Sequence, residues 1–151
     1  MTVSEDNPMK NIESPTMEPA PTQAGIALTL PLGLLGFEPF KRYVLLSRPE
    51  EAPFLWLQVL DHPQLAFVVV SPTVAAADYE PHLAEEDVSF LDLRSPEDAL
   101  IFNIVTLRAH GEATVNLKGP VVVNRRTLIG KQVIPQNAAD LSVAHPIPVI
   151  A

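Results

Sequence analysis

The sequence predicts a mainly β protein: a small antiparallel, β-barrel-like single domain with one or two short helices. Three observations carry this. Sixteen prolines in 151 residues exclude long uninterrupted helices, because proline removes a backbone donor and clashes with the preceding turn. From Ile26 onward, short apolar and β-branched runs alternate with Gly, Pro, Asn and Asp punctuation. Those runs number seven to nine at close spacing, the pattern of a small antiparallel barrel or sandwich.

Residues 1–25 contain Pro8, Pro15, Pro19, Pro21 and all three methionines. A segment with so little apolar periodicity cannot offset its ordering entropy. It is expected to be a disordered, Pro-rich acidic tail ahead of a domain spanning 26–137. Ile26, Leu28 and Leu30 alternate as in a strand, and Pro31 through Gly36 stops it. Gly36–Phe40 reads as a turn or one helical turn. Arg42–Ser47 is a second strand. Phe54–Asp61 and Leu65–Ser71 form a hairpin around Asp61-His62-Pro63-Gln64. In its first strand Phe54, Trp56, Gln58 and Leu60 share one face, and Leu55, Leu57 and Val59 the other. Both faces are mostly apolar, so a second layer or a partner is expected outside.

Residues 74–93 hold the helix candidates, in two short pieces. Leu83, Val88 and Leu91 lie on one side, with Glu85, Glu86 and Asp87 between them. Ser95-Pro96-Glu97-Asp98 has the form of a capping box. No helical stripe follows it, and Ile101, Ile104, Val105 and Thr106 favour a strand, so it reads as a turn. Strands are expected at Ala99–Arg108, Glu112–Leu117, Pro120–Asn124 and Thr127–Ile134. His110-Gly111 and Lys118-Gly119 supply turns, the latter within a hairpin over Val115–Asn124. Arg125-Arg126 makes a further bend. Residues 138–151 read as a Pro-rich extension with no assigned structure.

The chemistry on offer is narrow. With no cysteine there is no disulfide, thiol nucleophile or thiolate ligand. His62, His82, His110 and His145 stand alone, without metal-ligand spacing. No P-loop, G-x-G-x-x-G or G-x-S-x-G is present. No cofactor is expected, and the chain reads as a non-enzymatic protein. The alternative is a small β-barrel ligand carrier or enzyme, which needs a deep pocket with convergent polar groups. No run of about 18 apolar residues suggests a membrane span, and the N-terminus lacks a secretory signal pattern. A cytoplasmic location, and a monomer when free, are the expectations.

The net charge of −8 is uneven. Residues 50–98 hold eleven acids against Arg94 alone, a segment charge of −10. The flanking stretches 26–49 and 99–151 are mildly basic, at +2 and +3. Direct nucleic-acid binding is disfavoured, since it needs clustered Lys and Arg. A basic protein partner is easier to accommodate. Five amides interrupt apolar strands: Gln58, Asn103, Asn116, Asn124 and Gln132. A buried amide costs about 1–3 kcal/mol unless bonded. These residues either pin bends of the sheet or present amides to a partner. Trp56 is a core residue or an interface anchor.

Five segments in order carry a family resemblance. Leu30-Pro31-Leu32-Gly33-Leu34-Leu35-Gly36-Phe37 resembles an opening G-L-x-G-F motif after an apolar residue and Pro. Pro53-Phe54-Leu55-Trp56-Leu57-Gln58 resembles a P-F-x-W-L-Q strand, and Leu65-Ala66-Phe67-Val68-Val69 follows it. Thr114-Val115-Asn116-Leu117 with Pro120-Val121-Val122-Val123-Asn124 resembles a T-V-N-L hairpin. Gly130-Lys131-Gln132-Val133-Ile134 resembles a G-K-Q-V-I ending. Over residues 26–137 the chain resembles the bacterial flagellar assembly factor FliW family. The resemblance implies a compact β fold that binds newly made flagellin through its C-terminal region. It also implies binding and antagonism of the translational regulator CsrA, so that flagellin level sets flagellin translation. Lys118-Gly119 departs from the apolar or small pair expected there. The candidate partner-contacting residues are Trp56, Gln58, Phe67, Glu85, Glu86, Asp87, Asn116, Asn124 and Gln132.

Overall fold

A computed structural model describes residues 25–76 and 78–147. The expected tail at 1–25 lies outside the described residues except for Gly25. Four strands open the fold as a meander: β1 (Gly25–Thr29), β2 (Arg42–Ser47), β3 (Leu55–Val59) and β4 (His62–Val70). Their alternation decides what is buried. Leu28 pairs Tyr43, Tyr43 pairs Val59, and Leu57 pairs Phe67. Leu28, Tyr43, Leu57, Val59 and Val69 are at most 3% exposed and make the main core with Leu30, Leu34, Phe102, Val121 and Val123.

β4 starts earlier than expected, at His62. Its register against β3 jumps from Gln58↔Ala66 to Val59↔His62. The extra residues, Pro63, Gln64 and Leu65, bulge out of the ladder, where proline's missing donor costs nothing.

Two short helices follow, α1 (Pro72–Ala75) and α2 (Glu85–Phe90). Ser95–Asp98 is a turn as expected: Asp98 accepts from the backbone N–H of Arg94 at 2.8 Å, which holds its carboxyl below the usual range.

The long strand β5 (Ala99–Leu107) is the hub. Its first half pairs with β7 (Val121–Asn124), and its second half with β4 and with β6 (Ala113–Val115). β8 (Gly130–Gln132) pairs with β7. The two halves meet at Asn103, which is fully buried. Asn103 Nδ2 donates to the Asn116 carbonyl at 3.0 Å and lies 3.3 Å from the Tyr79 hydroxyl. Tyr79 in turn donates to the Leu117 carbonyl at 2.7 Å, and burial pushes its pKa up.

The expected Val115–Asn124 hairpin does not form. β6 and β7 follow one another along β5 without pairing. Leu117 N–H bonds the Ser142 carbonyl and Asn116 N–H bonds Ile104, so the connection runs from one part of the sheet to the other. The C-terminal stretch left without structure supplies β9 (His145–Ile147), paired with β6, and Ile147 is buried.

Among the described residues the sheet has nine strands. It curls into a half-barrel. Thr29 N–H donates to the Leu128 carbonyl at 3.0 Å and Thr29 bridges Ile129, bringing β1 round to the approach of β8. The second layer expected outside the doubly apolar strands is present in part. The face that carries Val68 and Val70 of β4, Val105 of β5, Val115 of β6 and Ile147 of β9 packs with Phe54, Tyr79, Leu117 and Leu141 from the connections. On another flank Leu91, after α2, packs with Val122 and Val133.

Gly130 makes the curl possible. A Cβ there would meet Val123 Cγ2 at 2.7 Å, Leu30 Cδ2 at 2.9 Å and the Val122 carbonyl oxygen at 2.9 Å. The carbonyl belongs to the neighbouring strand and cannot rotate aside. Gly130→Ala is expected to lose about 2 kcal/mol of stability, read as a lower urea midpoint at unchanged m-value.

Candidate functional site

The loop between β1 and β2 sorts its leucines. Gly33 N–H returns to the Leu30 carbonyl at 2.8 Å, and Phe37 N–H to Leu34 at 2.7 Å. Gly33 has φ +70°, and a Cβ would sit 2.6 Å from Glu38 Cα, so only glycine fits this close approach. These turns drive Leu30 and Leu34 into the core and leave Leu32 and Leu35 outside, 52% and 77% exposed. Across from them stand Ile134, just past β8, and Val143, each 62% exposed. Asn116, Lys118, Gly119, Gln132, Ala138 and Glu38 complete the walls of an open groove of about 480 Å³. Exposed large apolar side chains gathered in one place mark interaction surfaces; scattered ones do not.

Two of the amides flagged in the sequence lie in this groove. Gln132 clasps it: Oε1 accepts from Leu35 N–H at 2.9 Å, and Nε2 donates to the Gly119 carbonyl at 3.0 Å. Asn116 Oδ1 accepts from Lys118 N–H at 2.9 Å. Glu38 accepts from Gly36 N–H at 3.0 Å, and that bond holds its carboxyl below the usual range.

Another flagged amide, Asn124, is elsewhere and fully occupied. Asn124 is 0% exposed. Its Nδ2 donates to the Leu91 and Asp92 carbonyls at 2.8 and 3.1 Å, and its Oδ1 accepts from Arg126 and Thr127 N–H at 2.7 and 3.2 Å. It ties the end of α2 to the turn before β8, and it has no group left for a partner.

Glu85 and Glu86 are exposed on α2 as expected, but Asp87 is not. Asp87 is buried and ion-paired with Lys131, whose ammonium lies 5.4 Å from the Phe90 ring centre. Helical spacing turns the third acid inward, to the same side as Leu91. The exposed acidic feature is therefore a pair. Lys131 faces α2 while its neighbour Gln132 faces the groove. Successive strand residues point to opposite faces, so the acidic helix and the apolar groove lie on opposite faces of β8.

The remaining candidates sit on β3 and β4, away from the groove walls. Trp56 is half-buried, and its indole N–H donates to Glu51 Oε1 at 2.9 Å. Gln58 is half-buried between Val44 and Ala66 on the outer face. Phe67 points inward and meets Phe37 edge-on, ring centres 5.0 Å apart, so it supports the groove-bearing loop from beneath.

Sequence reasoning missed Leu32, Leu35, Ile134 and Val143. The available signal was apolar residues in Pro- and Gly-punctuated loops, where no core position explains them. Among the described residues no group of three or more His, Asp and Glu could hold a metal ion. Among the described residues no helix is long and apolar enough to cross a membrane.

The fold and sequence have known counterparts. The family model described as FliW protein matches residues 11–147. The chain belongs to the FliW family. The match extends past the 26–137 span of the sequence motifs and takes in β9. The flagellar assembly factor FliW of Natranaerobius thermophilus is 38% identical over 122 residues, 80% of each chain. That of Bacillus licheniformis is 40% identical over 111 residues, 73% of this chain and 78% of the relative. A crystal structure of the flagellar assembly factor FliW superposes with a TM-score of 0.70 at 31% identity, covering 79% of this chain and 83% of that one. These FliW relatives are named as assembly factors and not as enzymes, and the mainly β, curled architecture matches the solved one.

Proposed function

We propose that this FliW-family chain is a non-enzymatic, cytoplasmic flagellar assembly factor that holds flagellin by its C-terminal region and antagonises CsrA. The observation that carries the reading is the apolar groove: Leu32, Leu35, Ile134 and Val143 converge on one open surface of about 480 Å³. Such a groove suits a segment with apolar side chains on one face, seated in its interior with polar groups at the rim. Family membership supplies the flagellar context, and the amides of Asn116 and Gln132 stiffen the walls so that little ordering is needed on binding.

The exposed pair Glu85 and Glu86 gives the opposite face of β8 a negative character suited to a basic regulator. Neutralising both as Glu→Gln is expected to weaken antagonism of CsrA about three- to tenfold at low salt, with a smaller effect at high salt, since exposed charges are screened over about 8 Å at physiological ionic strength. An RNA-release titration repeated at several salt concentrations reads this.

The test of the function itself is a mixing experiment with flagellin and CsrA from the same cell. Each should form a complex with the purified chain, and flagellin should reduce the amount bound to CsrA. Failure to bind either protein would remove the proposal.

A further inference from the structure

Lys118 stands half-buried in the groove wall, beside Asn116, Gly119 and Gln132. The bond from its backbone N–H to Asn116 Oδ1 fixes where its stem begins. Among the described residues Lys118 makes no ion pair. Glu38, the other charged residue lining the groove, has its carboxylate engaged by Gly36 N–H in its own loop. The groove thus combines apolar walls with an ammonium that pairs with no carboxylate among the described residues, and with the Glu38 carboxylate, which is bonded within its own loop. A partner segment that fills the groove strips the ammonium of hydration. A charge desolvated without a partner is costly, so a purely apolar occupant is penalised and one carrying an acid is favoured.

We propose that Lys118 is a specificity-determining residue of the groove: it pairs with an Asp or Glu side chain on the bound segment, so the groove selects an apolar segment that carries an acid. This rests on the reading of the groove as the flagellin-docking surface.

The experiment titrates flagellin against the full chain at several salt concentrations, for the native protein and for Lys118→Gln, Lys118→Arg and Leu35→Asp. A peptide of the flagellin C-terminal region, with a free or an amidated terminus, forms a second arm. Lys118→Gln is expected to weaken binding about tenfold at low salt and to flatten the salt dependence. Lys118→Arg should stay within about threefold of native, because the charge and reach are kept. The free and amidated peptides should bind alike. Native affinity for Lys118→Gln at every salt concentration, with binding lost in Leu35→Asp, would overturn the role of Lys118 and leave the groove standing. A Lys118 effect that vanishes on amidation would assign the charge to the chain terminus and overturn the side-chain pairing. Native affinity in both Lys118→Gln and Leu35→Asp would overturn the groove reading as well.

Discussion

Asn124→Ala is expected to destabilise the protein by about 3 kcal/mol, the largest effect of any single polar substitution outside the ion pair. The side chain is fully buried and makes four hydrogen bonds. Each is worth about 0.5–1.5 kcal/mol net, and truncation leaves buried backbone groups unpaired, which costs more. The local backbone adds to this. Asp92 has φ +54°, and its carbonyl is held by Asn124 Nδ2 and by the Arg126 guanidinium at 2.7 Å. Removing the amide releases one of the two restraints on a conformation that non-glycine residues rarely adopt. Asn116→Ala is the matched control. Its side chain accepts one bond, from Lys118 N–H, and the expected loss is about 1 kcal/mol. Urea unfolding of the two variants should separate them clearly. In Asn124→Ala, flagellin binding should fall only in proportion to the unfolded fraction.

The second large effect is on binding. Leu35→Asp combined with Ile134→Asp is expected to weaken flagellin binding about 100-fold or more. Truncated or charged anchors at the centre of an interface typically cost about 2 kcal/mol or more each, and 1.4 kcal/mol is about tenfold in affinity. Both side chains are mostly exposed in the free protein, at 77% and 62%. Folding stability should therefore change by no more than about 0.5 kcal/mol. Calorimetric titration together with a melting curve on the same sample separates the two. Lost binding at an unchanged melting temperature is the expected outcome.

The strand pattern was legible because alternation and turn chemistry are local. β2 spans the stretch read from the sequence, Arg42–Ser47, and β1, β3, β5 and β7 lie within a residue or two of theirs. What failed was pairing. Nothing local says that β6 and β7 share β5 as a common neighbour, since Lys118-Gly119 looks like a hairpin turn whichever way the strands go. β9 was missed because Pro146 sits within it and proline argues against a strand; in a three-residue edge strand the missing donor matters little. Of the five amides singled out as needing partners, Asn103, Asn116, Asn124 and Gln132 make side-chain hydrogen bonds within the fold, though Asn103 Oδ1 accepts none. Which of them face a groove and which are locked inside depends on tertiary neighbours: Asn124 meets Leu91 and Asp92 more than thirty residues away. Asp87 shows the same limit, because an acidic triple reads as one exposed feature until Lys131 is placed beneath its third member. The groove was least legible of all. Leu32, Leu35, Ile134 and Val143 come from distant loops, and a chain scanned for periodicity passes over them.

The most direct measurement is amide hydrogen exchange of the full chain, alone and saturated with flagellin. Exchange reports opening and shielding segment by segment. New protection is expected in the loop 31–36, in 116–119 and in 132–143, while 85–90 on the opposite face of β8 stays unchanged. Protection confined to 85–90, or to the Trp56 face of β3, with the groove segments exchanging as in the free protein, would contradict the account.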